Sequence, residues 1–200
     1  MKFGVVLLRH GRSLHNEWFF KRLYSPWLWS THDSGIVDPP LSPKGEEQCR
    51  NRAFFLQASE FDLVICSPLT RALQTLDLVL PNHNVRTIVT PLVKERRDRL
   101  ADTGKPLSTL KVLQPKYEFL HFDDELWPGQ ENFKPESHGE FLERIFKFQK
   151  FFSKVKEEKI LIVSHGNFIK TLRGSMFMLG NCSDDIACKS MLTGKIPFNL

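Results

Sequence analysis

Four short aliphatic runs punctuate the chain: Lys2 to Leu8, Asp62 to Cys66, Val85 to Val89 and Lys159 to Val163. None alternates apolar and polar positions as a half-exposed strand does. Continuous runs of this kind predict strands covered on both faces, as in a largely parallel sheet held between helices. Between the runs the apolar period lengthens. Ser42-Pro43, a capping serine before a proline at the first helical position, opens a helix with Cys49, Ala53, Phe54 and Leu56 on its apolar face. Ser67-Pro68 repeats the device directly after the second run, and Ala72, Leu73, Leu76, Val79 and Leu80 form a helical stripe that Pro81-Asn82 stops. Ser137, with Glu140 three residues on, makes a capping box for a third helix that buries Phe141, Ile145, Phe148 and Phe152. A fourth helix follows Gly166.

This alternation predicts an α/β fold, a mostly parallel central sheet flanked by helices on both faces, with residues 1–200 forming one domain and ligands expected outside the carboxyl ends of the strands. Two segments resist the pattern. Between Glu17 and Val37 lie Trp18, Phe19, Phe20, Tyr24, Trp27 and Trp29, read here as a helix packing onto the sheet edge rather than as a substrate-facing lid. Arg99 to Glu136 is too irregular to assign to elements.

Composition narrows the class. With 200 residues, 41% apolar and 26% charged, the chain can bury a core, and 11 Gly with 12 Pro exclude a low-complexity polymer. The apolar start is cut short by Arg9-His10, so no export signal is expected, and no run approaches the ~18 apolar residues of a membrane span. A cytoplasmic protein without a membrane partner is expected. Cys49, Cys66, Cys182 and Cys188 show no C-x-x-C spacing and are read as reduced; even Cys182 and Cys188, the two nearest in sequence, are read as unpaired. A net charge of +5 favours anionic partners without choosing among them, and no basic helix or aromatic ribonucleoprotein motif supports a nucleic-acid partner.

The location of the charge is more informative than its sum. Arg9-His10-Gly11-Arg12-Ser13 follows the first strand and Ser164-His165-Gly166-Asn167 follows the fourth, so each puts a histidine at a strand's carboxyl end before a glycine that lets a ligand approach the backbone. Ser67-Pro68-Leu69-Thr70-Arg71 adds an arginine in the first turn of a helix at the same end of the sheet. Two arginines, two histidines and helix amide groups suit a phosphoryl group, because guanidinium forks pair with its oxygens and no metal or other cofactor is required. A neutral imidazole held among arginines stays available to attack phosphorus, since nearby positive charge disfavours its protonation.

Leu8-Arg9-His10-Gly11-Arg12-Ser13-Leu14-His15-Asn16 resembles the R-H-G-x-S-x-x-N signature of the histidine phosphatase superfamily, in its phosphoglycerate mutase-like branch. Pro40-Leu41-Ser42-Pro43-Lys44-Gly45 with Gln48, Ser67-Pro68-Leu69-Thr70-Arg71-Ala72 with Gln74-Thr75, and Ser164-His165-Gly166 resemble three further segments of that family. The resemblance implies that His10 is the phosphorylated nucleophile. Arg9, Arg71 and His165 would complete the phosphate pocket, with Asn16 and Gly166 as supporting contacts. It also implies a general acid from an L-x-E segment, here Leu92-Val93-Lys94-Glu95, with Asp98 in reserve. Lys94, Arg96, Arg97 and Arg99 around Glu95 would ordinarily depress its pKa, against its use as an acid. That basic group is read as a solvated face rather than as a sensor for a second anion.

Asp102-Thr103-Gly104-Lys105-Pro106 and Trp127 further resemble a segment of phosphoglycerate mutase-like proteins, and Glu136-Ser137 with Arg144 resembles the start of a family helix, though Ser137 is read as a cap. The function implied is hydrolysis of phosphate monoesters, on a phosphorylated small molecule or a phosphoprotein. A mutase is the alternative, weakened because Glu95-Arg96-Arg97-Asp98-Arg99 lacks the tyrosine and glycine of the mutases' E-R-x-Y-G. A non-catalytic phospho-ligand-binding protein of the same fold is a third reading. His32, His83, His121 and His138 lack metal-ligand spacing, and no metal site is expected.

Overall fold

A computed structural model describes residues 4–25, 34–56, 61–122 and 133–194. In chain order the elements are β1 (Val5–Arg9), α1 (Leu14–Tyr24), α2 (Pro43–Leu56), β2 (Leu63–Cys66), α3 (Thr70–Val79), β3 (Thr87–Val89), α4 (Leu107–Leu113), β4 (Glu118–Phe119), α5 (His138–Phe152), β5 (Ile160–Ser164), α6 (Gly166–Arg173), β6 (Asp184–Ala187) and α7 (Lys189–Thr193). The strands form one sheet in the order β4-β3-β2-β5-β1-β6. All neighbours run parallel except β6, which pairs antiparallel with β1.

The aliphatic runs became strands because both of their faces are covered. Val6, Leu8, Val64, Cys66, Leu161 and Val163 face the side where α2 and α3 contribute Cys49, Leu56, Ala72, Leu76 and Val79. Val5, Leu7, Leu63, Ile65, Ile160 and Ile162 face Ile145, Phe148 and Phe152 of α5, Phe168 of α6 and Leu192 of α7. Side chains alternate across a strand, so a run that is apolar at every position is stable only with helices on both sides.

The helix starts follow their capping chemistry with one exception. Ser42 Oγ accepts the Gly45 amide (3.2 Å) just before Pro43. Ser137 and Glu140 form the reciprocal capping box of α5. At Ser67-Pro68, however, the expected cap is absent: α3 begins at Thr70 after Leu69, and Asp38 caps it instead, its carboxylate accepting the Thr70 amide at 2.8 Å and the Thr70 hydroxyl at 2.6 Å.

Other expectations need correction. Phe54 does not lie on the buried face of α2 but is 79% exposed. The aromatic helix α1 does not pack onto the sheet edge; none of its residues is buried, and three of its rings receive arginines, Arg12 over Phe20, Arg99 over Phe19 and Arg22 over Trp18. Trp27, Trp29 and Trp127 lie outside the described residues. The unassigned stretch from Arg99 supplies a short 3-10 turn (Leu100–Asp102), α4 and β4. Among the described residues no helix is long and apolar enough to cross a membrane.

Candidate active site

Sheet register brings the two histidine motifs together. Arg9 of β1 pairs with Ser164 of β5, so the next residues, His10 and His165, emerge side by side with ring centroids 4.9 Å apart. On the other flank of β5, Cys66 pairs with Val163 and delivers Ser67 to the same rim. The His10 amide donates to the Ser164 carbonyl at 2.9 Å and the Ser67 amide to the Val163 carbonyl at 3.1 Å, which carries the sheet pairing into both loops.

The tautomer of His10 follows from its partner. Nδ1 lies 2.6 Å from the Gly11 carbonyl oxygen, which can only accept, so Nδ1 holds the proton and the lone pair sits on Nε2. Burial holds the imidazole well below its ordinary pKa, reinforced by the charges of Arg71 and Arg9. His165 is fully buried, and burial, with Arg71 and His10, depresses it as well. Its Nε2 lies 2.7 Å from Ser67 Oγ, while its Nδ1 is buried with no hydrogen-bond partner among the described residues.

Both arginines are fixed by groups that leave part of the guanidinium unspent. Arg9 donates from Nη1 to the Leu179 carbonyl at 2.5 Å, and its Nε is buried without a partner. It approaches the start of α6 closely because residue 166 is glycine: a Cβ there would stand 3.3 Å from Arg9 Cζ and 2.9 Å from Met178 Sδ. Arg71, 4% exposed, donates to the Ala101 carbonyl at 2.6 Å and to Asp102 at 2.9 Å. Asp102 is in turn held by the amides of Asp98 and Arg99.

A second set of bonds shapes the loop after β1. The Gly11 amide donates to Thr75 Oγ1 (3.0 Å), the Arg12 amide to Gln48 (3.0 Å) and the Leu41 amide to Gln74 (2.8 Å). Asn16 caps α1 reciprocally with Ser13, and its Oδ1 takes donors from the Ser13 amide and hydroxyl and from Asn181. A contact from Asn16 to a ligand would therefore come from Nδ2. Asn181 also donates to the His10 carbonyl.

Glu95 sits where β5 hands over to α6. Its carboxylate accepts the Asn167 amide (3.2 Å), in the first turn of α6, and the Arg96 amide (2.9 Å). Burial, helped by the charge of Asp102, nevertheless raises its pKa against those bonds and Arg71. The expected depression by neighbouring cations is outweighed by burial, and the basic side chains of the segment turn to other partners. Arg96 bonds the Glu136 carbonyl and Asp98, Arg97 the Lys134 carbonyl, and Arg99 contacts His15. The solvated-face reading fails at Lys94, which is 5% exposed and whose pKa is lowered to about 8 by burial beside Arg144, whereas Arg96, Arg97 and Arg99 are half-buried. Asp98 is exposed and paired with Arg96, turned to a different partner than Glu95.

Behind Glu95, the buried pair Glu136 and Arg144 anchors the segment. Arg144 binds both carboxylate oxygens of Glu136 at 2.8 Å and also the carbonyls of Leu92, Lys94 and Glu95. Ser137 is the cap that the sequence indicated, whereas Glu136 is a structural partner of the candidate acid.

The structure thus brings Arg9, His10, Arg71, Glu95, His165 and Gly166 to one rim, with Asn16 at its edge. Ser67, Asp102 and Asn181 were not legible as site residues: Ser67 read as a helix cap, Asp102 only as part of a D-x-G-x-P string, and Asn181 carried no signal.

Comparison with known proteins bears on the family and the fold. The model of the histidine phosphatase superfamily (branch 1) matches residues 5–181. A 2,3-bisphosphoglycerate-dependent phosphoglycerate mutase of Azorhizobium caulinodans is 28% identical over 179 residues, covering 84% of this chain and 78% of that one. A fructose-2,6-bisphosphatase of Xenopus laevis is 31% identical over 119 residues, 58% of this chain and 39% of its own. Among solved structures, the alpha-ribazole phosphatase of Shigella flexneri superposes with a TM-score of 0.59 at 23% identity, covering 90% of this chain and 87% of that one.

Proposed function

Because the chain belongs to the histidine phosphatase superfamily, branch 1, we propose that it hydrolyses phosphate monoesters through a phosphohistidine on His10. The observation that carries this reading is the fixed tautomer of His10, which leaves a basic Nε2 beside two arginines and a second buried histidine. The ester's phosphoryl oxygens take the unspent donors of Arg9 and Arg71 and the Nδ1 proton of His165. Those donors are worth most as charge builds up on the oxygens in the transition state.

His10 Nε2 then attacks phosphorus, the P–O bond to the leaving group breaks, and Glu95 in its acid form gives the alkoxide its proton. Its raised pKa suits that task. Glu95, now a carboxylate, takes a proton from water as the water attacks the phosphohistidine, which frees inorganic phosphate and restores His10. Every group used is a side chain already at the rim.

The mutase names among the relatives make transfer to an alcohol the second reading. Hydrolysis is favoured because the residues after Glu95 are Arg96-Arg97-Asp98, with neither the tyrosine nor the glycine of the mutases' segment. The test is turnover of an aryl phosphate in excess chelator, with and without a small alcohol acceptor. Phosphate release with an acid-labile, base-stable phosphoenzyme, both lost in His10→Ala, is the expected result. Turnover that survives His10→Ala refutes the nucleophile, and product found only on the alcohol makes the protein a transferase.

A further inference from the structure

Two thiols that the proposed chemistry does not use lie against the nucleophile's loop. Cys49 on α2 and Cys182 before β6 are 133 residues apart in sequence, yet their sulfurs are 3.7 Å apart and both are buried. Each touches the loop that carries His10. Cys49 Sγ packs on Gly11 so closely that a Cβ at residue 11 would stand 2.6 Å from it, and it also lies 3.7 Å from Thr75 Oγ1, the acceptor of the Gly11 amide. The Cys182 amide donates to the His10 carbonyl at 3.1 Å.

We propose that Cys49 and Cys182 are a dithiol that hydrogen peroxide converts to a disulfide, and that this bond displaces the His10 loop and lowers turnover. The second half of the proposal rests on the hydrolase reading above. Cys49 is the sulfur oxidised first: hydrogen bonding from Cys182 lowers its pKa, whereas Cys182 is pushed up. The Cys49 thiolate bonds one peroxide oxygen, the O–O bond breaks, and hydroxide leaves, giving a sulfenic acid. The Cys182 sulfur then attacks the Cys49 sulfur, the S–O bond breaks, and water leaves with the Cys182 proton. Two thiols lose two electrons and one peroxide becomes two waters.

The bond has mechanical consequences. A disulfide closes the sulfurs from 3.7 Å to about 2.05 Å, and the part of that closure not taken up by side-chain rotation draws α2 and the residue 182 turn together beside the His10 loop. Gly11 has no free space on the Cys49 side, and the carbonyl of His10 is tied to the residue that moves. Displacements near 1 Å in an active site cost on the order of 100-fold in rate.

The experiment treats the native protein with hydrogen peroxide, blocks remaining thiols and maps peptides without reduction, while aryl phosphate turnover is followed on the same sample. Cys49 and Cys182 should be found in one linked pair, with Cys66 and Cys188 still free. Turnover should fall about 10- to 100-fold and return with dithiothreitol, and Cys182→Ala should keep its turnover at the same dose. Histidine NMR of the oxidised protein should show the His10 ring shifted whether or not an ester turns over, which separates failure of this proposal from failure of the hydrolase reading. Unlinked Cys49 and Cys182 after oxidation overturn the dithiol, and linkage without a shift of His10 overturns its coupling to the site.

Discussion

In the reaction we propose, His10 and Glu95 divide the labour, and their pKa values are pushed in opposite directions, His10 down and Glu95 up, in each case chiefly by burial. The signs set a pH profile. His10 stays an unprotonated nucleophile until pH falls well below the usual histidine range, and Glu95 stays protonated to higher pH than an ordinary carboxyl. The kcat/KM for an alkyl phosphate should therefore decline as pH rises and Glu95 loses its proton, at a pH above the ordinary carboxylate range. It should decline on the acid side only where His10 is protonated, well below the usual histidine range. Glu95→Gln should cost alkyl esters about 10²- to 10⁴-fold in kcat/KM and aryl esters, whose phenolates leave without help, markedly less. Equal losses on both would remove Glu95 from the acid role. Ser67 belongs to the same scale: its hydroxyl lies 2.7 Å from His165 Nε2, and the proposed reaction requires it to donate there so that Nδ1 keeps its proton for the phosphoryl group. Ser67→Ala should lower kcat about 10- to 100-fold and change the His165 tautomer seen by ¹⁵N NMR, while Ser67→Thr should rescue both. The histidines and Arg71 were legible because each sits at a strand end or first helical turn within its own local motif. Ser67 was not, because Ser-Pro before a helix looks the same whether the hydroxyl caps the helix or orients a histidine 98 residues away.

At the scale of elements, α2 is pressed onto the loop after β1 so tightly that a Cβ on Gly45 would collide with the Arg12 carbonyl. Replacing glycine by alanine inside a helix ordinarily stabilises by ~1 kcal/mol. Gly45→Ala should instead destabilise, because the atom it meets is backbone, and a lowered urea midpoint at unchanged m-value would show it. The Glu136 and Arg144 pair makes a second prediction. Burial works to raise the Glu136 pKa, but Arg144's hydrogen bonds and charge, with Lys94, outweigh it and hold the carboxyl low. A depressed folded pKa means stability that is present above the ordinary carboxylate range and lost as pH falls through the folded value. Glu136→Gln removes that dependence and strands the buried Arg144 charge, at a cost of about 3 kcal/mol, which for a chain of this size is about 6–12 °C in Tm. A Tm within a degree of the parent would mean the pair is not structural. The elements that the sequence did not disclose are those with little apolar surface. β4 has two residues, and β6 reads Asp184-Asp185-Ile186-Ala187, an edge strand with Ile186 60% exposed, so neither shows the buried run that marked the interior strands. The aromatics of α1 misled for a related reason: their rings cover arginine side chains rather than the sheet.

Over the whole molecule the excess of 28 basic over 23 acidic residues gives the +5 that attracts a dianionic ester. Raising ionic strength from ~0.01 to ~0.15 M, which shortens the screening length from about 30 to about 8 Å, should lower kcat/KM for such an ester while leaving kcat nearly unchanged. A salt-independent kcat/KM would confine the electrostatics to the pocket. The sheet order has a further consequence, for how the molecule comes into being. β1 is the first strand in the chain, yet both of its partners, β5 and β6, lie beyond residue 159. During synthesis the strand that bears His10 must wait, unpaired and apolar, until β5 has been made, while β2 and β3 can already join. Long-range parallel pairing of this kind is slow and leaves aggregation-prone surface open in the interval. Because Arg9 meets Ser164 only when that final insertion is made, the candidate site is assembled in the same event that completes the sheet, and a chain arrested short of β5 carries His10 without His165 beside it.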